Sequence, residues 1–192
     1  MARKEDLRFV RTNRKLYETF YELIAENLIE DLSITDICSA ASINRATFYK
    51  HFNDRREFVF YCIGQKVREI RLERTGRENC NASYIHEDTM REICTFLRFM
   101  RSLNAGNLNP SSDTIRFVYD GLLAFYFREF SVYYAKNKKY LDVDADVIAA
   151  YRVGSLLSIA FYSLMKGPDA ISEDSCEEII NTFVVRIKAV EM

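Results

Sequence analysis

The sequence is poor in the residues that break regular structure, with only six Gly and two Pro among 192 residues. A fold made of many short strands needs a turn about every 8–12 residues, and tight turns favour Gly and Pro. Their scarcity argues against such a fold and favours long helices joined by few loops. Because 48% of the residues are hydrophobic, the chain can also bury a sizeable core. We therefore expect an all-α protein.

Apolar residues recur at helical spacing along most of the chain, and capping residues mark where the segments begin and end. The predicted helices cover about 6–29, 35–41, 45–51, 54–74, 88–103, 113–137, 144–166 and 172–190. The segment 113–137 is apolar almost all round, so we expect it in the middle of its domain. The polar stretch 76–88 and the stretch 104–112 predict loops.

Motifs for catalysis or metal binding are lacking in the sequence. It has two His and no G-x-S-x-G, P-loop, Rossmann or H-E-x-x-H pattern. The five Cys, at positions 38, 62, 80, 94 and 176, are odd in number and show no C-x-x-C spacing. That pattern predicts reduced thiols and neither a disulfide framework nor a zinc site. We expect no enzyme activity, no catalytic residues, no cofactor and no metal.

The N-terminus and the apolar runs predict a cytoplasmic protein without a membrane partner. The start, Met-Ala-Arg-Lys-Glu-Asp, lacks the apolar stretch of a signal peptide. The longest uncharged apolar run, Val153–Met165, is shorter than the roughly 20 residues that span a bilayer. It is better explained as a buried helix.

The formal net charge of −1 hides an uneven distribution of charge near the N-terminus. Residues 1–15 hold six Lys or Arg, residues 16–41 hold six acids and no base, and residues 42–56 again hold four bases. A small domain sorted in this way can present one basic and one acidic face. Ordinary solvated helix surfaces explain the same clustering equally well.

Residues 35–52 show the pattern of a helix-turn-helix, a unit in which a second short helix enters the DNA major groove. Thr35 is the expected N-cap of the first short helix, and Asn44 that of the second. At 100° per residue, Phe48 and Phe52 fall on one side of the second helix. The opposite side carries Ala46, Thr47, Tyr49 and Lys50, with Arg45 in the first turn. Methyl, hydroxyl and cationic groups of this kind suit base edges and phosphates.

The stretch Ile34-Thr35-Asp36-Ile37, followed by residues 41–55 with the core Thr47-Phe48-Tyr49-Lys50-His51-Phe52, closely resembles the DNA-binding signature of the TetR family of bacterial transcriptional regulators. The match covers roughly residues 8–60. The resemblance implies DNA contacts from the recognition helix, its flanking residues and the start of the next helix. These implied contacts are Thr35, Arg45, Thr47, Tyr49, Lys50, His51 and Arg55, to which the division of the helix into two faces adds Ala46. Among them Arg55 is implied to contact phosphate, and His51, with Phe52, is implied to pack the helix onto its neighbours.

The sequence departs from the family pattern at Ser42, where the family often has Gly in the turn. If that position requires a positive φ, Ser costs of order 1 kcal/mol there. The departure affects the turn geometry and leaves the expected fold unchanged.

The resemblance implies two domains: a helix-turn-helix domain, 1–53, and a larger helical ligand and dimerisation domain, 54–192. Stripes of small and apolar residues in the last two helices support a homodimer independently, as a four-helix interface. The expected interface residues are Ala150, Gly154, Ser158, Phe161, Ile180, Phe183 and Ile187. The alternative is that both stripes face the core of their own subunit. The sequence does not identify the ligand-binding residues.

The leading hypothesis is a ligand-responsive repressor that binds a palindromic operator in double-stranded DNA as a homodimer, with a small-molecule effector. A second hypothesis is a co-regulator whose C-terminal domain binds a protein partner; a large exposed apolar patch outside the dimer interface would favour it. A third is a helical enzyme or carrier with a vestigial DNA-binding unit, which a catalytic constellation in a pocket would support.

Overall fold

A computed structural model of the chain describes residues 7–76, 87–109, 113–136, 144–167 and 172–181. All regular structure within these ranges is helical, which confirms the all-α prediction. The helices are α1 (Leu7–Glu26), α2 (Ile34–Ala40), α3 (Arg45–Phe48), α4 (Arg55–Thr75), α5 (Glu87–Leu103), α6 (Asp113–Lys136), α7 (Ala145–Lys166) and α8 (Glu173–Ile179).

The predicted helices differ from these mainly at their ends. The first predicted helix ends early, at Glu26, and a 3-10 turn over Ile29–Asp31 follows it. The predicted loop 104–112 contains a second 3-10 turn, Ala105–Leu108. The last helix begins after Ser172, as predicted, with the Ser172 hydroxyl accepting a hydrogen bond from the Ser175 amide. The part predicted beyond residue 181 lies outside the described residues.

Helix α6 lies in the middle of the C-terminal part, as its all-round apolar sequence predicts. It packs between α4 and α7, and Leu122, Tyr126 and Phe130 are fully buried. The crossing with α4 is close because it has glycine on both helices. A Cβ at Gly64 of α4 would lie 2.9 Å from the Phe125 ring, and one at Gly121 of α6 would collide with Ile63.

A buried charged network joins α4, α5 and α6. The Arg71 guanidinium donates to both carboxylate oxygens of Glu92, at 2.9 and 3.2 Å, and both side chains are fully buried. Arg71 also donates to Glu129, at 2.9 Å, and the Tyr126 hydroxyl donates to Glu92, at 3.0 Å. A buried ion pair is tolerated only when hydrogen bonds satisfy its remaining groups, and this network supplies several.

Helix α7 is long and apolar enough, by length and composition, to cross a membrane. Half of its most apolar window is nevertheless buried inside the protein, against the rest of the helical core. Core helices are commonly as long and as apolar as this one. Length and composition therefore do not by themselves indicate a membrane span.

Two cysteines depart from the predicted reduced state. Cys94 of α5 and Cys176 of α8 form a disulfide, with their Cα atoms 6.7 Å apart, whereas Cys38 and Cys62 are free and buried. The prediction of reduced thiols is therefore wrong for this pair. Its partners are 82 positions apart in sequence, and only the packing of α5 against α8 brings them together. Cys80 lies outside the described residues.

We expect reduction of the Cys94–Cys176 disulfide to destabilise the protein, because the crosslink restricts the unfolded chain. A loop of this length corresponds to a loss of up to about 4 kcal/mol in the free energy of unfolding. Urea unfolding with and without dithiothreitol measures the loss. Cys94→Ala should be insensitive to the reductant, whereas Cys38→Ala should keep the wild-type sensitivity. An unchanged wild-type transition under reducing conditions contradicts the prediction.

Candidate nucleic-acid interface

The short helix α3 is held in place by an aromatic cluster formed by Phe20, Phe48, Phe52 and Phe58. Phe48 of α3 is fully buried, and its ring lies 5.3 Å from that of Phe58 in α4 and 5.5 Å from that of Phe52. Phe58 in turn contacts Phe20 of α1, at 5.6 Å. Edge-to-face aromatic pairs at these distances add to the stabilisation from burial. The cluster therefore fixes α3 against both α1 and α4.

The opposite side of α3 is open to solvent. Arg45, Ala46, Tyr49 and Lys50 are exposed, and Thr47 is half-buried. This agrees with the division of the helix into an aromatic and a polar face that the sequence predicts. Helix α3 itself ends at Phe48, earlier than predicted. The chain continues in tight turns, in which the amides of Lys50 and His51 donate to the carbonyls of Thr47 and Phe48.

The helix caps around this unit are only partly as predicted. The Asn44 side chain caps α3 by accepting a hydrogen bond from the Ala46 amide, at 2.8 Å, as expected. Helix α2, however, is capped by Ser33 and not by Thr35. The Ser33 hydroxyl accepts from the Asp36 amide, and the Asp36 carboxylate accepts from the Ser33 amide. This capping box satisfies two free amides at once, and Thr35 lies exposed in the first turn.

The spacing Ser-x-x-Asp at Ser33 was the sequence signal for this cap. Asp54 and Glu57 have the spacing of a second capping box, but only one half of it is formed. The Asp54 carboxylate accepts from the Glu57 amide, at 2.8 Å, but the Glu57 carboxylate accepts from the Asn53 amide and side chain, both at 2.7 Å. Both groups still stabilise the start of α4.

His51 ties the end of the recognition segment to α1, a role that matches its expected packing position. Its Nδ1 lies 2.6 Å from the side-chain oxygen of Asn13, and its ring stacks on Phe9, with centroids 4.0 Å apart. Partial burial, together with the charge of Lys50, lowers the pKa of His51 and so favours the neutral imidazole. Asn13 and Phe9 carry no motif signal, and sequence reasoning missed both.

Arg55 does not occupy the position expected of a phosphate contact. Its Nη1 donates to the main-chain carbonyls of Ile29, Glu30 and Leu32, at 3.2, 2.9 and 2.7 Å. Its guanidinium also lies 5.0 Å from the ring centroid of Phe117 in α6. The carbonyls between α1 and α2 need donors, and Arg55 supplies them. We therefore correct its assignment from a DNA contact to a residue that positions α2.

The segment between α1 and α2 also contacts the C-terminal helices directly. The buried Asn107 side chain accepts from the Ile29 amide and donates to the Ile24 carbonyl, both at 3.0 Å. Thr114, at the start of α6, accepts from the Glu30 amide through its hydroxyl, and its own amide donates to the Glu30 carboxylate. The helix-turn-helix unit is therefore linked to α6 as well as continuous with α4.

Solved structures share this architecture over nearly the whole chain. The dihydroxyacetone kinase operon activator DhaS superposes with a TM-score of 0.52 at 19% identity, covering 95% of this chain and 99% of that one. RolR in complex with resorcinol gives 0.46 at 18% identity, with 94% and 89% covered. A TetR-family transcriptional regulator from Pectobacterium atrosepticum gives 0.43 at 18% identity, with 97% and 95% covered.

No protein-family model matches the chain, and no curated protein sequence is significantly similar to it. At sequence identities this low, structural similarity shows a shared fold and nothing about function. The chain shares the fold of the operon activator DhaS.

The turn between α2 and α3 contains a strained residue. Ser42 has φ 52°, which confirms that this position requires a positive φ. Its amide donates to the Ser39 carbonyl, at 3.0 Å, and the Ile43 amide donates to the Cys38 carbonyl, at 2.9 Å. The turn therefore adopts a geometry for which Gly is the usual residue. Ser42 adopts the same geometry at a cost in conformational stability.

We expect Ser42→Gly to raise the free energy of unfolding by about 0.5–1 kcal/mol, because Gly adopts a positive φ without a steric penalty. Ser39→Gly, at an exposed position in the last turn of α2, is the control and should lower stability, because Gly weakens the helix there without relieving a positive φ. Urea unfolding measures both. A loss of stability in Ser42→Gly as large as that in Ser39→Gly contradicts the assigned strain.

Proposed function

We propose that the protein is a sequence-specific DNA-binding transcriptional regulator, and more narrowly a ligand-responsive repressor that binds a palindromic operator as a homodimer. The observation that carries the proposal is the exposed polar face of α3, displayed on a scaffold that shares the fold of the operon activator DhaS. A short helix with one face buried in aromatic rings and the other exposed is suited to the DNA major groove.

The side chains on this face offer complementary chemistry to DNA. Lys50 and Arg45 can donate hydrogen bonds to guanine or to phosphate, and the methyl groups of Ala46 and Thr47 can contact thymine. The Tyr49 hydroxyl, on a side chain that is 46% exposed, can reach a phosphate oxygen. Base contacts would specify the sequence, and phosphate contacts would position the helix.

Thr35 and His51 support this docking from the edges. Thr35 is exposed in the first turn of α2, where its hydroxyl and the free amides of the helix start can approach phosphate. His51 orients the recognition segment through Asn13 and Phe9. We no longer assign Arg55 to direct contact, since its hydrogen bonds go to main-chain carbonyls.

A homodimer is supported by the exposed apolar face of α7. Val147, Tyr151, Tyr162 and Met165 are each about 60% exposed or more. Small residues, Ala150, Gly154 and Ser158, lie on the same side of the helix, with Phe161 half-buried beside them. Apart from the backbone of α7 and the two residues next to Gly154, no atom of the described residues lies within 4 Å of the position that a Gly154 Cβ would take, so a second helix can approach closely there. Single subunits rarely leave such a surface uncovered.

The α8 part of the predicted interface receives less support. Ile180 is 1% exposed and packs in the core of its own subunit, so we remove it from the proposed interface. The reason is that α8 packs against α5. Phe183 and Ile187 lie outside the described residues and remain predictions.

Ligand response requires that a change in the C-terminal helices reach α3. The contacts of Glu30 with Thr114, and of Ile29 with Asn107, provide such a connection, because they join α6 and the second 3-10 turn to the helix-turn-helix unit. Moving a 1:99 equilibrium to 99:1 requires about 5.5 kcal/mol of preferential binding. Divided between the two sites of a dimer, this is about 2.7 kcal/mol per site, a preference that a small apolar ligand can supply.

Selection of bound sequences from random duplexes should return an inverted repeat, with half-sites about one helical turn or a near multiple apart. Lys50→Ala should weaken binding. If Lys50 contacts only phosphate, the loss of affinity should be equal on all DNA sequences. The slope of the logarithm of the binding constant against the logarithm of the salt concentration should also fall by roughly 1. Lys136→Ala, at the distant end of α6, is the control. Unchanged affinity in Lys50→Ala rules out this docking face.

Gly154→Glu should convert the dimer to a monomer, because it places a charge in a closely packed apolar contact. Sedimentation measures the mass, and circular dichroism checks that the helices remain. Ala25→Glu, on an exposed face of α1, introduces the same side chain elsewhere and should leave the dimer intact. A monomeric wild type would overturn the homodimer and make α7 a candidate surface for a protein partner.

A further inference from the structure

An open cleft of about 460 Å³ lies where the helix-turn-helix unit meets α4 and α6. Its volume is within the range of about 300–1,000 Å³ that small-molecule sites occupy. One end is formed by Phe9 and Asn13 of α1 together with His51 and Phe52. The remaining walls come from α4 and α6 and include Phe60, Tyr61 and Arg68 of α4 and Phe125, Arg128 and Glu129 of α6.

Apolar and aromatic groups form most of this surface. Phe60, Tyr61 and Phe125 line the middle of the cleft, and each is half-buried or buried. Gly64 and Gly121 present no side chains there, and both are needed for the close crossing of α4 and α6. The cleft can therefore take a flat apolar body against aromatic rings.

The lining of the cleft holds two acids and two arginines, so its formal charges cancel, but of these four residues only the acids form hydrogen bonds or ion pairs with described residues. The two acids of its lining are already engaged: Glu129 pairs with the buried Arg71, and Glu57 accepts two hydrogen bonds from Asn53. Its two arginines form no ion pair with any described residue. Arg68 lies 5.1 Å from the ring centroid of Phe125, and Arg128 is exposed on the next turn of α6. An apolar surface is thus joined to two free guanidinium groups.

We propose that this cleft binds a small amphipathic organic anion, with its acidic group between Arg68 and Arg128 and its apolar body against Phe60, Tyr61 and Phe125. Guanidinium groups suit carboxylates and similar planar anions, since they donate paired hydrogen bonds. The apolar body gains from leaving water, and the aromatic walls favour a ring.

The position of the cleft connects this ligand to DNA binding, a step that depends on the function proposed above. The ligand would contact α6 and the recognition segment at the same time, beside the His51–Asn13 hydrogen bond and the Phe9–His51 stack. A bound molecule there biases the angle between α4 and the helix-turn-helix unit. Its occupancy therefore changes operator affinity.

The test uses two fluorescent probes of nearly the same shape on the full-length protein. 8-Anilinonaphthalene-1-sulfonate carries an anionic group, and N-phenyl-1-naphthylamine has the same apolar body without it. Wild type should bind the anion more tightly than the neutral probe. Arg68→Gln with Arg128→Gln should weaken anion binding by about tenfold or more, with the neutral probe changed less than about twofold.

Arg116→Gln, on the same helix but outside the cleft, is the matched control and should leave both affinities unchanged. Each variant must unfold cooperatively, because a loosened core also binds such dyes. If the double variant does not fold, the single variant Arg128→Gln serves instead, because this position is exposed. We expect it to show part of the loss of affinity for the anionic probe. The proposed site is wrong if the folded variant, double or Arg128→Gln, binds the anionic probe as tightly as wild type does. It is also wrong if wild type binds the two probes with equal affinity.

Two measurements of DNA binding test the proposed function and the effect of the ligand separately. Binding of the selected duplex is measured first without probe, and its absence contradicts the proposed function while leaving the cleft result intact. With DNA binding established, a saturating concentration of the anionic probe should shift the operator affinity of wild type and not that of the double variant. An unchanged affinity in wild type overturns the regulatory step.

Discussion

The burial of Phe48 against Phe58 and Phe52 is the interaction on which the arrangement of the helix-turn-helix unit depends. Helix α3 has four residues, far fewer than the roughly 12–15 that an isolated helix needs in water. Its position therefore comes from tertiary contacts and from the Asn44 cap. Because Phe58 is part of α4, the recognition face is fixed to the helix that continues into the C-terminal part.

A second connection constrains the same unit from the other side. Arg55 holds the main chain between α1 and α2, and Asn107 and Thr114 bind that segment to the second 3-10 turn and to α6. The helix-turn-helix unit thus has two attachments, one covalent through α4 and one through hydrogen bonds with α6. Any relative movement of α4 and α6 would therefore change how α3 is presented.

The C-terminal part contains a buried charged network and, next to it, a cleft that is open to solvent. The Arg71–Glu92 pair is fully buried, and it joins α4 to α5 with help from Tyr126 and Glu129. Removing one partner would leave an uncompensated buried charge, so this region resists rearrangement. The cleft beside Arg68 and Arg128 is open to solvent, and it lies at the junction with the recognition segment. Glu129 belongs to both regions, since it pairs with Arg71 and also lines the cleft.

The sequence by itself determined the helices, the two faces of α3, the central position of α6 and the strain at Ser42. Each depends on residues close together in the chain, through periodicity, capping or a single φ angle. The tertiary structure alone decided that Arg55 binds carbonyls, that Ile180 faces its own core and that Cys94 meets Cys176. It also decided where the cleft lies. These features join residues far apart in sequence, and which distant side chains meet depends on how whole helices pack.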